Sequence, residues 1–110
     1  MRVKLYLTGS GRSPLDDFLK ECSAEIKSAF VDAVTLLSEG HILSMPHSRN
    51  LSSIYRGLHE LRLKDSSGQY RFFYFLRKGD AIYFVHAIKK KTQELPKKEI
   101  DLVLKRIKEI

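Results

Sequence analysis

GLHELRLKDSSGQYRFFYFLRKGDAIYFVHAI, residues 57–88, is the stretch that decides the fold. It contains three runs rich in aliphatic and aromatic residues, GLHELRLK (57–64), QYRFFYFL (69–76) and AIYFVHAI (81–88), separated by DSSG and RKGD. The runs have strand length, and the breaks are made of residues that favour tight turns. Such short connections join antiparallel neighbours, so the stretch reads as a β-meander. Alternation then puts Leu58, Glu60 and Arg62 on one face and His59 and Leu61 on the other, while Arg71, Phe73 and Phe75 oppose Tyr70, Phe72 and Tyr74. Both faces of the aromatic strand are apolar enough to be buried, and alternation does not say which one meets the core.

Working outward, RVKLYL near the N-terminus alternates, with Val3, Leu5 and Leu7 on one face, and predicts a further strand. Ser13 followed by Pro14, with Asp16 and Asp17 in the first turn, predicts a capped short helix to about Glu21. Ser23 opens a longer helix whose Ile26, Phe30, Ala33, Val34 and Leu37 recur at helical spacing, with Gly40 placed to end it. Residues 41–56 have mixed polarity and a proline, and read as an ordered connection. PKKEIDLVLKRIKEI, from Pro96, predicts a C-terminal helix with Ile100, Val103, Leu104 and Ile107 on one stripe. The order strand, two helices, three strands, helix implies an α+β sandwich. Its small twisted sheet is mainly antiparallel, with the helices on one face and an open face left over.

Composition bounds what such a fold is for. With 110 residues, one compact domain spanning 1–110 is expected. Hydrophobic residues make up 43% and charged residues 30%, a globular balance, and no run approaches the length of a membrane span. The N-terminus lacks the apolar core of an export signal, and a lone Cys22 forms no internal disulfide, so a cytoplasmic address is expected. The net charge of +7 is not spread evenly: Arg56 to Lys98 holds eleven basic residues against four acidic ones, which is the whole excess. A cationic block of this kind suits a polyanion or an acidic protein.

The residue types that could carry chemistry fall inside that block. Arg71, set in an aromatic strand, needs a carboxylate, a stack or a phosphate; an ion pair with Glu60 and a phosphodiester contact are both open readings. Arg62 lies two positions from Glu60 on the same strand face and has the same two readings. Lys89, Lys90 and Lys91 end a strand, either as a solvated terminus or as phosphate ligands converging with Arg62 and Arg71. Tyr70, Tyr74 and Tyr83 could stack on bases or fill the core. The four histidines, His41, His47, His59 and His86, lack a metal-ligand spacing, although His59 or His86 could serve as acid or base. No glycine-rich phosphate loop, Ser/His/Asp set or paired-carboxylate motif is present.

At this point the chain resembles a known family. GLHELRLKDSSGQYRFFYF followed by YFVHAIKKKTQELPKKEI is similar to the HigB-type, phage-derived branch of the RelE/ParE toxin superfamily, and SPLDDFL resembles the first helix of that branch. The resemblance implies a microbial RNase or RelE-like fold and a type II toxin that inhibits translation by cutting messenger RNA in the ribosomal A site, without metal or cofactor. By position it implies Arg71 as the phosphate-stabilising arginine, Lys90 and Lys91 as the lysine pair, and Arg62 in RNA binding or a pair with Glu60. His59, His86 and Tyr74 are the weaker acid–base candidates. Lys89, Lys64, Tyr74 and His86 are expected RNA contacts, although Lys89 stands at a position that varies in the family. A cognate helix-turn-helix, HigA-like antitoxin is the implied partner, beside ribosome and mRNA. Two departures stand out: Ile88 replaces an aromatic, and Leu95 stands where the family has a threonine before the proline, so the last helix is expected to lack a side-chain cap. Two other functions share the fold: a ParE-like gyrase inhibitor that cuts nothing, and a basic ribosome- or RNA-binding module without catalysis.

Overall fold

A computed structural model describes residues 1–77 and 81–110. In chain order the elements are β1 (Arg2–Leu5), α1 (Pro14–Lys20), α2 (Ala24–Ser38), β2 (Ser48–Asn50), β3 (Leu58–Asp65), β4 (Gly68–Arg77), β5 (Ala81–Lys89) and α3 (Lys97–Lys108). The α+β class and the meander are as expected. The strands form one sheet in the order β1-β5-β4-β3-β2, with β1 parallel to β5 and every other pair antiparallel. The new element is β2, three residues inside the stretch read as a connection, too short to show a period.

Local chemistry sets the element ends. Ser13 Oγ accepts from the Asp16 amide at 3.2 Å, and Pro14 opens α1 as expected. Ser23 Oγ accepts from the Ile26 amide at 3.2 Å and donates to Asp65 Oδ2 at 2.7 Å, so the cap of α2 also anchors the β3–β4 turn. The bond from Ser23 foremost, then that from the Ser67 hydroxyl at 2.7 Å, holds the Asp65 carboxyl below the usual carboxylate range. The other turn read from the sequence, RKGD, falls largely on residues 78–80, outside the described residues. Gly57 opens β3 at φ +90°, where an added Cβ would lie 3.0 Å from the Leu76 carbonyl oxygen, so both conformation and space require glycine. Pro96 is the N-cap of α3, one position before its first helical residue, and no side chain caps the helix, in line with the departure at Leu95.

The sheet has two covered faces. On one, Leu15, Ile26, Phe30, Ala33 and Leu37 of α1 and α2 pack on Leu61, Phe72, Tyr74, Ile82 and Phe84. Phe72 meets Phe18 edge-on at 5.8 Å, and Phe30 lies 5.0 Å from both Phe72 and Phe84. On the other, Val103 and Ile107 of α3 join Leu58, Phe73 and Val85 in a smaller cluster. This corrects the expectation that all helices share one face and leave the other open. The apolar stripe of α3 has nowhere to go but the exposed half of the aromatic strands. Leu7 is a second correction: the chain leaves the sheet after Tyr6, and Leu7 is 57% exposed instead of facing the core.

Candidate functional site

On the α3 face, Arg62 and Arg71 are direct cross-strand partners. Like charges placed opposite one another repel, and Glu60 offsets this from beside them. Its carboxylate, 2% exposed, takes Arg62 Nε at 2.8 Å on one oxygen and faces Arg71 Nε at 3.5 Å with the other. The Glu60 pair anticipated as one reading for each arginine is therefore present for both. Arg71 is itself 4% exposed, and its Nη2 donates to the carbonyls of Thr92 at 3.3 Å and Gln93 at 2.9 Å. Nη1 has no acceptor among the described residues, none of which has a fully buried side-chain N or O atom without a partner, so Nη1 retains a small solvent-facing area. Arg71 is thus a guanidinium clamped on one side with two N–H donors to spare.

The segment that clamps Arg71 also closes a cleft. A cavity of about 500 Å³ is lined by Arg71, by Lys89, Lys90 and Lys91 from the end of β5, and by Lys98 and Glu99 from the first turn of α3. Backbone pairing holds the lysines in place, since the Lys90 amide donates to Gln69 O at 2.7 Å. Lys89 Nζ lies 5.7 Å over the Tyr70 ring, and Lys90 Nζ donates to Gln93 Oε1 at 3.3 Å. Lys91 and Lys98 have no side-chain partner among the described residues. Five cations around one concavity make a region of positive potential suited to phosphate.

Glu99 is the one acid in that lining, and the sequence reading missed it. A register shift between β4 and β5 explains how it is held. Up to Phe84 the residues of β5 alternate normally, but a bulge then puts Val85 and His86 in succession on the α3 face, and Ala87 returns to the other. His86 consequently stacks on Phe73 and meets α3: its Nε2 contacts Glu99 Oε2 at 2.5 Å and its Nδ1 lies 3.2 Å from Arg106 Nη1. Arginine only donates, so Nδ1 is the acceptor and Nε2 carries the proton that Glu99 receives. Burial pushes the His86 imidazole below its usual value, more than the Glu99 carboxylate beside it raises it. Arg106 is held in turn by the Val85 carbonyl at 2.9 Å and stacks 5.0 Å from the Tyr6 ring. This chain of contacts seats the first turn of α3, and with it Lys98 and Glu99, at the cleft.

The other sequence candidates are not gathered here. His59 lies on the α1/α2 face, stacked on Tyr74 with ring centroids 5.2 Å apart, and burial lowers its basicity. Arg62, Arg71 and Glu60 all face the opposite way, so the sheet separates His59 from them. Tyr74 is 2% exposed, its hydroxyl hydrogen-bonded to Ser48 Oγ at 2.6 Å, which leaves no ring face for a base. Lys64 and Arg62 share the α3 face with Arg71 but line neither of the cavities that Arg71 borders. Among the described residues no three His, Cys, Asp or Glu side chains gather as metal ligands, and no helix is long and apolar enough to cross a membrane.

No curated protein matches the chain. The profile of a family described as Phage derived protein Gp49-like (DUF891) matches residues 17–108. That span takes in the meander, the clamp on Arg71 and every residue named in the cleft, and the chain belongs to this Gp49-like family of phage-derived proteins, a toxin-like family.

Proposed function

We propose that the protein is the toxin of a type II toxin–antitoxin pair, of the HigB-type branch of the RelE/ParE superfamily. In this reading it is a metal-independent endoribonuclease that cuts mRNA in the ribosomal A site of the cytoplasm and so inhibits translation. The observation that carries the reading is the cleft that Arg71 lines together with Lys89, Lys90, Lys91 and Lys98. RNA cleavage by its own 2′-hydroxyl needs a proton acceptor, charge stabilisation at phosphorus and a proton donor to the leaving oxygen. Glu99 takes the 2′-hydroxyl proton as O2′ attacks phosphorus. Arg71 and Lys90 hold the phosphorane oxygens, and as the P–O5′ bond breaks Lys91 gives its proton to O5′, leaving a 2′,3′-cyclic phosphate. A lysine meets a phosphate as a point charge without a fixed fork geometry, so in this reading the in-line alignment comes from the ribosome-bound message. A helix-turn-helix antitoxin is the expected partner.

Purified protein added to a translating extract should cut ribosome-bound message within codons and leave naked RNA largely intact. Message intact in both sinks the reading. Inhibition of gyrase supercoiling would instead support the ParE-like alternative. One observation favours a binding module without catalysis: Arg71 is 4% exposed and tied to Glu60, as a purely structural arginine would be. Such a module would retain ribosomes or RNA on a column and leave every message whole.

A further inference from the structure

Arg71 also borders a second cavity, of about 340 Å³, whose lining holds the aliphatic Leu51, Ile54, Leu95 and Ile100, the polar Ser53 and Gln93, the Glu60 carboxylate already paired with Arg62 and Arg71, and the charged Arg49 and Glu94. Gln93 joins the two cavities: it lines this one, its carbonyl takes Arg71 Nη2, and its side-chain oxygen takes Lys90 Nζ from the cleft. Arg71 lines both cavities, so a phosphate in the first and a base of the same strand in the second would meet the same side chain. The four aliphatic side chains suit the flat face of a base. The same lining holds a guanidinium and a carboxylate, and neither Arg49 nor Glu94 has a side-chain partner among the described residues. Guanine matches that pair: its O6 and N7 accept from an arginine fork, and its N1–H and amino group donate to a carboxylate. Adenine puts an amino group where the arginine needs an acceptor, and the pyrimidines present a shorter edge.

We propose that this cavity is a guanine subsite, taking a base of the RNA strand whose phosphate lies in the lysine cleft. The inference rests on the lysine cleft being the phosphate site, and it adds a sequence preference to that reading. Methyl NMR separates the two claims, because Ile88 lines the lysine cleft while Leu51, Ile54, Leu95 and Ile100 wall the second cavity. Inorganic phosphate should move the Ile88 methyl signals alone. Guanosine monophosphate should move both sets, with an affinity roughly tenfold or more above cytidine or uridine monophosphate. Arg49→Ala should remove that advantage and leave the Ile88 response to phosphate unchanged. Wall methyls that stay still with every nucleotide while Ile88 responds, or that respond equally to all three nucleotides, overturn the subsite and leave the phosphate site standing. An Ile88 signal silent to phosphate and nucleotides alike removes both.

Discussion

The two faces of the sheet are sealed in different ways. Under α1 and α2 the seal is apolar and aromatic, built from Phe18, Phe30, Phe72 and Phe84 in edge-on and tilted contacts. Under α3 the apolar cluster is small, and the space beside it holds Glu60 between two arginines and His86 between Glu99 and Arg106. Burial of apolar surface stabilises in proportion to area, whereas buried charges roughly break even once their desolvation is counted. The first face accordingly supplies most of the folding free energy. The second spends part of it on charged groups fixed in position at the edge of a cleft, a division expected of a fold that carries a site.

That contrast can be broken or sharpened by substitution. The largest effect is expected on activity: Glu99→Gln keeps an oxygen for the His86 N–H but cannot take a proton, so cleavage in a translating extract should fall by about 10²–10⁴-fold. Its urea midpoint should stay near that of the parent; full activity in this variant would remove Glu99 from the chemistry. Next, Phe72→Ala empties the middle of the aromatic face and should cost about 3–5 kcal/mol in equilibrium unfolding. A cost below ~1 kcal/mol would mean that this face is not the principal core.

On the α3 face, Glu60→Ala strands two arginines, and breaking a buried pair costs roughly 3 kcal/mol or more. The double change Glu60→Leu with Arg71→Met should be less damaging than Glu60→Ala alone. If the double variant is the less stable of the two, the ion pair is a net stabiliser and the contrast between the faces is wrong. The smallest effect is that of pH. His59 and His86, one on each face, are both held below their usual values by burial, with Glu99 and Arg106 the charged groups in contact with His86. The unfolded chain therefore binds more protons than the folded one as pH drops below about 6.5, and stability is lost in that direction. Urea midpoints should fall between pH 7 and pH 5, and fall less in His59→Phe; midpoints flat or rising toward pH 5 would contradict both shifts.

Most elements were legible in the sequence because their causes are local. Ser13, Pro14 and Ser23 cap their helices through contacts within a few residues, and the period of β3 to β5 is written in successive side chains. Arg71 and the lysines could be singled out for a similar reason, since a charge in an aromatic strand and a run of cations are visible in one dimension. Their surroundings could not be read so. Alternation along β3 already sets His59 on the face opposite Arg62, as the structure has it, whereas the burial of Tyr74 in the core, with its hydroxyl on Ser48, is not visible in one dimension.

The sequence by itself therefore determined the strands, the capped helices and the confinement of excess positive charge to residues 56–98. Only the tertiary structure decided that α3 covers the second face, that Arg71 is clamped by Glu60 and two carbonyls, and that His86 and Glu99 meet at the cleft. For His86 the reason is the bulge at Val85. One extra residue reverses which way His86 points, and packing against α3, twenty residues further along the chain and invisible in local periodicity, is what favours that reversal.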